Sequence, residues 1–479
     1  MLPYTPLHHL LVEAVGGIPL VMTSGNRSDE PIAYEDDAVF EQLGDIADVF
    51  LIHDRPIHIR CDDSVTRVVD DQPSPVRRSR GYAPLPMGLP FACPRPLLAV
   101  GGQLKSTFAL GRAQTAILSH HLGDLDDYHA YRAFERDIAL YEELFDTRPQ
   151  RIVHDLHPDY ASTGYAQRRA AAEEIDTLAV QHHHAHVAAC MAEHALAGDV
   201  IGVAFDGTGF GSDGAIWGGE FLVANYGEFR RGAHLRYVPL PGGDHAIRHP
   251  WRSAVTHALD AGCDLSRCDA IASTTELRTV RQMIERRVNS PSTSSAGRLF
   301  DAVAALAGIR ASVTFEGQAA MELEWLATDE PPDVSYPFEL SRSVPPAEPS
   351  CLEIDTRPMV RSVMGDVRRG TDRRRVARRF QSTMVELIVA VCERIRGETG
   401  LDRVVLSGGV FLNVLLTREA TERLTADGFQ VYRHLLVPTN DGGISLGQLA
   451  VAAAQANHPS ARAREPKSVE PVMTPSDRQ

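Results

Sequence analysis

Four histidines within five positions form the chemically most distinctive part of this sequence, and they follow Gln181. His182 and His186 are four residues apart. On a helix that spacing places both imidazoles on one face, one turn apart, where they can hold one metal ion. His183 and His184 point to other faces. An alternative interpretation is that the cluster is a metal-avid surface feature or a set of hydrogen-bonded core histidines.

Two aspartates could complete such a site. Asp206 ends the apolar strand predicted at 200–205 and stands before Gly207, and Asp441 lies in the loop 439–447 that opens the last helix. Histidine nitrogen and carboxylate oxygen are ligands that both iron and zinc accept. For Asp441 the alternative is a role as helix N-cap, because aspartate is favoured at that position.

Glycine turns after apolar strands are the second chemical signal. Such turns leave backbone N–H groups free and admit the close approach of a phosphate. None fits the P-loop or the dinucleotide fingerprint, yet three in one chain favour nucleotide binding. The charged segments 295–301 and 315–322 could offer a carboxylate to ribose hydroxyls, with ordinary helix capping as the alternative. The three turns are Gly101-Gly102-Gln103, 206–211 and Ser407-Gly408-Gly409.

A run of arginines precedes and opens a long predicted helix. It could face a phosphate or an acidic partner, but a solvated helix face is the interpretation we favour. The run consists of Arg368, Arg369, Arg373, Arg374, Arg375, Arg378 and Arg379.

Size and composition are those of an ordinary globular chain. The sequence has 479 residues, 43% of them hydrophobic and 23% charged, which predicts two or three domains. A formal net charge of −15 argues against a general nucleic-acid binder. The seven cysteines form no CxxC pair, so neither a zinc ribbon nor a disulfide framework is indicated. With no leader-like start and no apolar run that could span a bilayer, we expect a cytoplasmic protein without membrane partners.

Hydrophobic periodicity predicts α/β units. The first unit is 1–90, and a proline-rich linker, 91–96, leads to a second unit at 97–456. Glycine pairs near both ends of the second unit suggest two related halves facing a cleft, although such pairs are common in βα turns. The expected elements are strands at 18–23, 64–70, 97–110 with a glycine turn, 151–156, 200–205 and 403–410, helices at 127–146, 182–195, 299–309 and from about 373, an irregular insertion at 226–293, and a disordered tail at 457–479.

Together these motifs resemble a known family. The second unit resembles the carbamoyl-transferring domain of HypF-type carbamoyltransferases, the maturation proteins of nickel–iron hydrogenases. The first unit resembles the latter half of a YrdC-type adenylate-forming domain. The resemblance lies in 100–108, 154–160, 181–186, 205–211, 217–220, 297–302, 315–322, 406–413 and 440–443 of the second unit, and in 4–9, 23–26, 62–65 and 78–82 of the first.

The resemblance implies an α/β chain with a partial YrdC-like domain, followed by a duplicated domain of the kind shared by actin, sugar kinases and Hsp70. It implies that one divalent metal, iron or zinc, is bound by His182, His186, Asp206 and Asp441, and that Lys105 joins them in catalysis. It also implies nucleotide contacts by Ser24, Asn26, Arg78, Arg80, Gly101, Gly102, Gly207, Gly209, Gly297, Asp301, Glu316, Gly317, Ser407, Gly408, Gly409 and Asn413.

In this family, ATP and carbamoyl phosphate give carbamoyl-adenylate, with magnesium serving the adenylation step. The carbamoyl group then passes to the C-terminal cysteine of the partner HypE, as a thiocarboxamide that is later dehydrated to cyanide. The resemblance therefore implies ATP, carbamoyl phosphate and HypE as partners. Nucleic acid is not expected, although YrdC-like domains can bind RNA.

Complete family members begin with an acylphosphatase domain and a cysteine-rich zinc-finger region, and neither has a counterpart in this sequence. The front of the YrdC-type domain has no counterpart either. We therefore expect an N-terminally truncated member, competent at most for the transfer half-reaction. The alternatives are an O-carbamoyltransferase acting on a small metabolite and an inactive remnant that docks the partner.

Overall fold

The first unit has almost no core of its own. The computed structural model describes residues 3, 5–27, 30–265, 272–342 and 351–457. No described side chain before Arg60 is buried. The strand predicted at 18–23 is wrong, since no strand forms there in the described chain and none lies alongside to pair with it. The unit contains helices α1 (Pro6–Ala14) and α2 (Asp36–Leu43) and strands β1 (Val65–Val69) and β2 (Gln72–Arg77).

Strands β1 and β2 form an antiparallel hairpin, which confirms the strand predicted at 64–70. Its two-residue turn consists of Asp70 and Asp71, both with positive φ, at 50° and 59°. Such a turn matches the right-handed twist of the paired strands.

The predicted linker, 91–96, is not a linker. It lies inside strand β3 (Pro86–Ala99), which pairs with β4 (Ala109–Leu118). The register shifts between Gly88 and Cys93 and again between Cys93 and Leu97. Since the other neighbour of β3 pairs only from Leu97 onward, the prolines occupy an irregular stretch with one free side, where a missing N–H donor is tolerated.

The second unit begins with a sheet of four strands in the order β4-β3-β5-β6. Helix α3 confirms the amphipathic helix predicted at 127–146, and β5 confirms the strand predicted at 151–156. The elements that follow β3 and β4 are α3 (Tyr128–Leu144), β5 (Arg151–Asp155), α4 (Ala161–Glu173), β6 (Asp176–Val180) and α5 (His182–Glu193).

The rest of the unit is built on a larger sheet that contains the path β8-β7-β14-β15. Its elements are β7 (Val200–Phe210), β8 (Ile216–Ala224), β9 (Phe229–Leu235), β10 (Val238–Pro239), α6 (Asp244–Arg248), α7 (Pro250–Asp260), α8 (Thr274–Arg286), β11 (Ser292–Thr293), α9 (Ala296–Leu306), α10 (Gln318–Thr328), β12 (Glu339–Arg342), β13 (Leu352–Asp355), α11 (Arg357–Arg368), α12 (Arg373–Thr399), β14 (Arg403–Ser407), α13 (Val414–Ala426), β15 (Gln430–Arg433) and α14 (Ile444–Asn457).

The two sheets share one topology, so the predicted duplication is confirmed. In each path the first pair of strands is antiparallel and the next two pairs are parallel. This makes β3 equivalent to β7 and β5 equivalent to β14. The two glycine pairs that suggested the duplication are not equivalent, because Gly101-Gly102 follows β3 whereas Gly408-Gly409 follows β14.

Three predicted boundaries change. Strand β7 does not end at Phe205 but continues to Phe210. The region 226–293 is not simply an irregular insertion, because β9 pairs with both β8 and β13 inside the large sheet. Helix α14 reaches Asn457, and the remainder of the predicted disordered tail lies outside the described residues.

Helices α5 and α14 are the last helices of the two halves, and they pack against each other at very short range. A Cβ on Gly447 would lie 1.9 Å from the carbonyl oxygen of Ala185. Both helices are rich in alanine and buried over nearly their whole length, as expected of helices covered on all sides, and α5 also buries its four histidines. This contact holds the start of α5 and the start of α14 together.

The arginine run is only partly a solvated face. Arg378 is 1% exposed and donates to Glu419 at 2.7 Å. Arg379 bridges Asp366 and Asp333, at 2.8 and 3.0 Å. The inward-facing arginines therefore tie α12 to its neighbours through ion pairs, while the exposed members of the run remain in solvent.

Candidate metal centre

Four predicted ligands converge on one point. His182 Nε2 lies 3.3 Å from Asp206 Oδ2 and 3.8 Å from Asp441 Oδ1. His186 Nε2 lies 3.6 and 3.7 Å from the same two oxygens. All four atoms lie within 4.8 Å of one another. The structure thus brings together the histidine pair indicated by helical spacing and the two aspartates that the family resemblance added to it.

These spacings fit a single first-row cation. Ligand atoms at about 2.0–2.1 Å from a tetrahedral ion are roughly 3.3–3.4 Å apart, close to the four separations measured here. His186 Nε2 is buried and makes no hydrogen bond, which is costly for a polar atom unless something else binds it. The donor set, two imidazoles and two carboxylates, suits iron(II) and zinc(II) alike.

Local structure explains the position of each predicted ligand. Gln181 caps α5 by accepting the N–H of His184 at 2.9 Å, so the helix starts at the first ligand. Asp206 lies in a bulge of β7, where the register with β8 shifts between Phe205 and Gly209. Bulges re-aim a side chain out of the regular alternation of a strand.

Asp441 begins a short 3-10 turn, Asp441–Gly443, directly before α14. The N-cap of this turn is Asn440, whose side chain accepts the N–H of Gly442 at 3.0 Å. The alternative interpretation of Asp441 as the cap is therefore wrong. Its carboxylate is left to face the two histidines.

Asp155 supports the site from behind. Its Oδ2 lies 2.8 Å from His182 Nδ1, and its Oδ1 accepts the N–H of His157 at 2.9 Å. A carboxylate on the outer nitrogen of a ligating histidine fixes the tautomer and makes the inner nitrogen a better donor. No role was predicted for Asp155, although its place at the end of a predicted strand was a usable signal.

Burial and opposite charge compete at these groups. Burial disfavours the charged form of His182, yet Asp155, Asp206 and Asp441 outweigh it and raise its pKa well above the usual value. Burial likewise opposes ionisation of Asp206, but His182 and His186 hold the pKa of this carboxyl well below its usual range. The raised pKa of His182 reflects the negative charge around it, and the same charge would attract a metal cation once the imidazole gives up its proton.

His183 and His184 lie outside the cluster, as predicted. His184 Nε2 lies 2.6 Å from the carbonyl oxygen of Asn225, and burial lowers the pKa of His184 to about 4. His183 Nδ1 lies 3.2 Å from Gln181 Nε2. Gly209 leaves room for both His182 and His183, since a Cβ on it would lie 2.7 and 2.5 Å from their rings.

Two of the predicted phosphate-binding turns line the cluster. Gly409 N–H donates to Asp206 Oδ1 at 2.9 Å, so this turn holds a ligand as well as forming a cradle. Gly102 also approaches the site, with its Cβ position 3.3 Å from Asp441 Oδ2. Gly408 has φ of +101° and its Cβ position lies 2.2 Å from the carbonyl oxygen of Phe205, so only glycine fits there.

A third group of residues with predicted nucleotide contacts lies beside Gly207. A Cβ on Gly207 would lie 4.0 Å from both Arg298 Nη2 and Glu316 Oε1. The Cβ position of Gly297 is 2.9 Å from Gly207 Cα. These residues lie on one side of the cluster, and Gly317 is the N-cap of α10 in the left-handed conformation, with φ of 74°.

Lys105 and Glu316 form an ion pair on this side of the cluster. Burial works against the charged amine, but Glu316 and then Asp441 outweigh it and raise the pKa of Lys105. The lysine has φ of 47° and its backbone N–H is held by Asp124 at 2.7 Å. A cation fixed beside the cluster is well placed to meet a phosphate.

Three predicted nucleotide contacts have other bonding partners. Ser407 is fully buried, and its Oγ contacts the His186 carbonyl and His434. Asn413 caps α13 by accepting the N–H of Leu416 at 2.9 Å. Asp301 is buried and pairs with Arg298 at 2.9 Å. These side chains thus have structural bonding partners, and their contact with nucleotide stays a prediction.

The predicted contacts of the first unit lie at the other end of the chain and keep their status as predictions. Asn26 Nδ2 donates to the carbonyl of Glu30 at 2.9 Å, and Ser24 is exposed. Arg78 is buried and donates to the carbonyl of Leu85 at 3.0 Å. Arg80 donates to the carbonyl of Cys61 at 3.1 Å.

Comparison with known proteins matches both units. A family model described as "Carbamoyltransferase, Kae1-like Domain, second subdomain" matches residues 202–448, and one described as "HypF Kae1-like domain" matches residues 92–193. A carbamoyltransferase HypF homolog of Cupriavidus necator is 38% identical over 78% of this chain and 94% of that protein. The chain belongs to the HypF carbamoyltransferase family.

Other HypF proteins extend the match over nearly the whole chain. The HypF of Rhodobacter capsulatus is 40% identical over 95% of this chain and 60% of its own length. A crystal structure of a full-length HypF in its phosphate- and nucleotide-bound form superimposes with a TM-score of 0.89 at 42% identity, covering 95% of this chain and 70% of that one. The chain thus spans about 60% of the length of several curated HypF relatives.

The comparisons also confirm the fold class. The family described as "Telomere recombination", to which YrdC-type domains belong, matches residues 1–79, in front of the duplicated Kae1-like part. Within the described residues, no helix has the length and apolarity needed to cross a bilayer.

Proposed function

We propose that this chain carries out the carbamoyl-transfer step of a HypF carbamoyltransferase in nickel–iron hydrogenase maturation. It would take the carbamoyl group from carbamoyl-adenylate and deliver it to the C-terminal cysteine of a HypE-type partner. The observation that supports this most is the convergence of His182, His186, Asp206 and Asp441 beside glycine turns. Membership of the HypF family supplies the acceptor and the donor by analogy.

The residues divide the work according to their contacts. His182, His186, Asp206 and Asp441 would hold one divalent ion, iron or zinc, with Asp155 orienting His182. Bound there, the ion supplies Lewis-acid polarisation of an oxygen of the substrate. Because four protein ligands would fill a tetrahedral shell, a substrate oxygen would enter as a fifth ligand, an expansion that catalytic zinc sites undergo.

The backbone and Lys105 would receive the adenylate. Backbone N–H groups at Gly102 and Gly207 would donate to phosphate oxygens as charge develops on the leaving AMP, whereas the N–H of Gly101 already donates to Gln448 Oε1 at 2.9 Å. Lys105 pairs with Glu316, and its amine can exchange this ion pair for one with a phosphate. ATP, carbamoyl phosphate and magnesium belong to the preceding adenylation step, which the family performs in its YrdC-type domain.

Transfer of the carbamoyl group tests this function directly. Purified chain, loaded with iron(II) or zinc(II), is incubated with synthetic carbamoyl-adenylate and a peptide ending in the partner's cysteine. Mass spectrometry should show the peptide heavier by one carbamoyl group, at a rate well above that of the peptide and adenylate alone. No product, while an intact HypF works in parallel, would refute the proposal.

A matched pair of variants separates the ligands from the rest of the histidine run. His186→Ala should abolish transfer and remove most bound metal, because it deletes a ligand. His184→Ala, in the same buried helix but bonded to Asn225, should retain both. Equal losses in the two variants would contradict the assignment of ligands.

A further inference from the structure

Behind the metal centre lies a chain of three buried polar side chains that the proposed reaction does not use. Ser407 Oγ donates to the carbonyl oxygen of His186 at 2.9 Å. The same Oγ lies 2.8 Å from His434 Nε2, and His434 Nδ1 lies 2.9 Å from Glu193 Oε1. Ser407 and His434 are 0% and 3% exposed.

The direction of the hydrogen bonds follows from the acceptor at one end. A backbone carbonyl can only accept a hydrogen bond, so the single O–H of Ser407 donates to the carbonyl of His186. Its lone pair is then free to accept the N–H of His434 Nε2. At the far end, Glu193 also accepts the N–H of Leu435 and Leu436, at 3.2 and 2.7 Å, which anchors the carboxylate.

These three side chains contact α5 at two places. Ser407 meets the helix at His186, a predicted ligand, and Glu193 is the last residue of the helix. Between them, His434 follows β15, so the three residues tie α5 to the ends of β14 and β15. A helix held at both points cannot slide or rotate without breaking buried hydrogen bonds.

Ser407 is also the first residue of a turn that grips the other ligands. Gly409 N–H donates to Asp206 Oδ1 at 2.9 Å. Gly408 N–H donates to the carbonyl oxygen of Thr439 at 3.0 Å, two residues before Asp441. One short segment, 407–409, therefore touches the supports of three of the four ligands.

We propose that Ser407, His434 and Glu193 are positioning residues that set the placement of His186 relative to Asp206 and Asp441. The inference rests on the proposed metal role of those residues. A second metal site at His434, Glu193 and the neighbouring Cys190 fits less well, because burial raises the pKa of the Cys190 thiol well above its usual value and a metal binds cysteine as the thiolate.

Metal affinity is the measurement that isolates this role. Apo protein is titrated with zinc(II) against a chromophoric chelator, for wild type, His434→Leu and His434→Gln. Loss of a group that orients a ligand typically weakens metal binding about 10–100-fold, and we expect that range for His434→Leu. His434→Gln keeps an N–H donor for Ser407 and should lose less.

His194→Gln provides the matched control. His194 is the C-cap of the same helix and its Nε2 lies 2.8 Å from the carbonyl of Arg433; among the described residues its side chain has no hydrogen bond to Ser407 or Glu193. It should bind zinc like wild type. The visible spectrum of the cobalt(II)-loaded protein should change in His434→Leu, since ligand geometry changes, and thermal unfolding of the apo proteins reports general destabilisation separately.

The outcomes are distinct. A zinc Kd in His434→Leu within twofold of wild type, an unaltered cobalt spectrum, or an equal loss in His194→Gln would overturn the positioning role. Binding of two zinc ions by wild type and one by His434→Leu would also overturn it, in favour of a second metal site. Failure of wild type to bind zinc, iron(II) or cobalt(II) at all would instead refute the proposed metal centre, and this inference with it.

Discussion

At the scale of single residues, two of the predicted metal ligands are held by groups that would not themselves contact the ion. Asp155 lies on the outer nitrogen of His182, and Gly409 N–H lies on the outer oxygen of Asp206. A histidine or aspartate without such a partner can turn about its side-chain torsions. These two contacts therefore help to hold the four residues in a fixed geometry.

Asp155→Asn tests this support. The substitution preserves shape but replaces an anionic acceptor of the His182 Nδ1–H bond with a neutral amide, so we expect metal affinity to fall about 10–100-fold with little change in folding. A chelator competition measures it. Asp159→Asn, an exposed carboxylate four residues on, is the control, and an equal effect there would contradict the role given to Asp155.

Helical spacing was enough to separate His182 and His186 from His183 and His184, because the period of a helix is fixed. The family resemblance was needed to join Asp206 and Asp441 to them as predicted ligands. The groups that support these side chains lie elsewhere in the chain. Their contacts depend on sheet order, which a single sequence does not reveal, and so the contacts of Asp155 and Ser407 were not predicted.

At the scale of secondary-structure elements, the decisive contact is the one between α5 and α14. Gly447 lets α14 approach the backbone of α5 around Ala185 and Ala189. The helix with two ligands and the turn with Asp441 are thereby brought to one place. Any bulk at this contact has to push the helices apart.

Gly447→Ala should therefore destabilise the fold by about 1–3 kcal/mol, as overpacking of a tight core does, and weaken zinc binding as well. Chemical denaturation and a chelator titration give the two quantities. Gly397→Ala in α12 is the control, because nothing lies within 4 Å of its Cβ position. It should stabilise by about 0.5–1 kcal/mol, and a loss there as large as at Gly447 would contradict the packing argument.

Periodic elements were predictable, and elements defined by long-range pairing were not. The helix at Tyr128–Leu144 shows its apolar face in local spacing. The strand Pro86–Ala99 looked like a linker because its prolines suggest a break, and only the pairing with β4 shows why they are tolerated. The expected strand at 18–23 had suitable residues and, in the described chain, no neighbour.

At the scale of the whole molecule, the first unit is attached through its hairpin. Arg67 Nη2 pairs with the buried Glu324 at 3.0 Å and Arg67 Nη1 donates to the carbonyl of Leu412 at 2.8 Å. On the opposite strand, Val76 accepts a hydrogen bond from Asn440 at 3.1 Å. The described residues before Arg60 have no buried side chain, and large apolar ones such as Val21 and Val49 are 97% and 83% exposed.

Limited proteolysis should therefore cut first within 5–57 and leave a resistant fragment that retains the hairpin. Mass spectrometry of the early fragments identifies the sites. Arg67→Ala should extend early cutting into 65–77, because the hairpin loses its buried ion pair. Early cuts in the second unit, with 5–57 intact, would contradict this account.

The duplication has a further consequence for motion. His182 and His186 belong to the last helix of the first half, whereas Asp206 and Asp441 belong to the second half. An ion bound by all four would be a cross-link between two halves that also meet at the packing of α5 against α14. Metal loading should therefore restrict the motion of one half relative to the other.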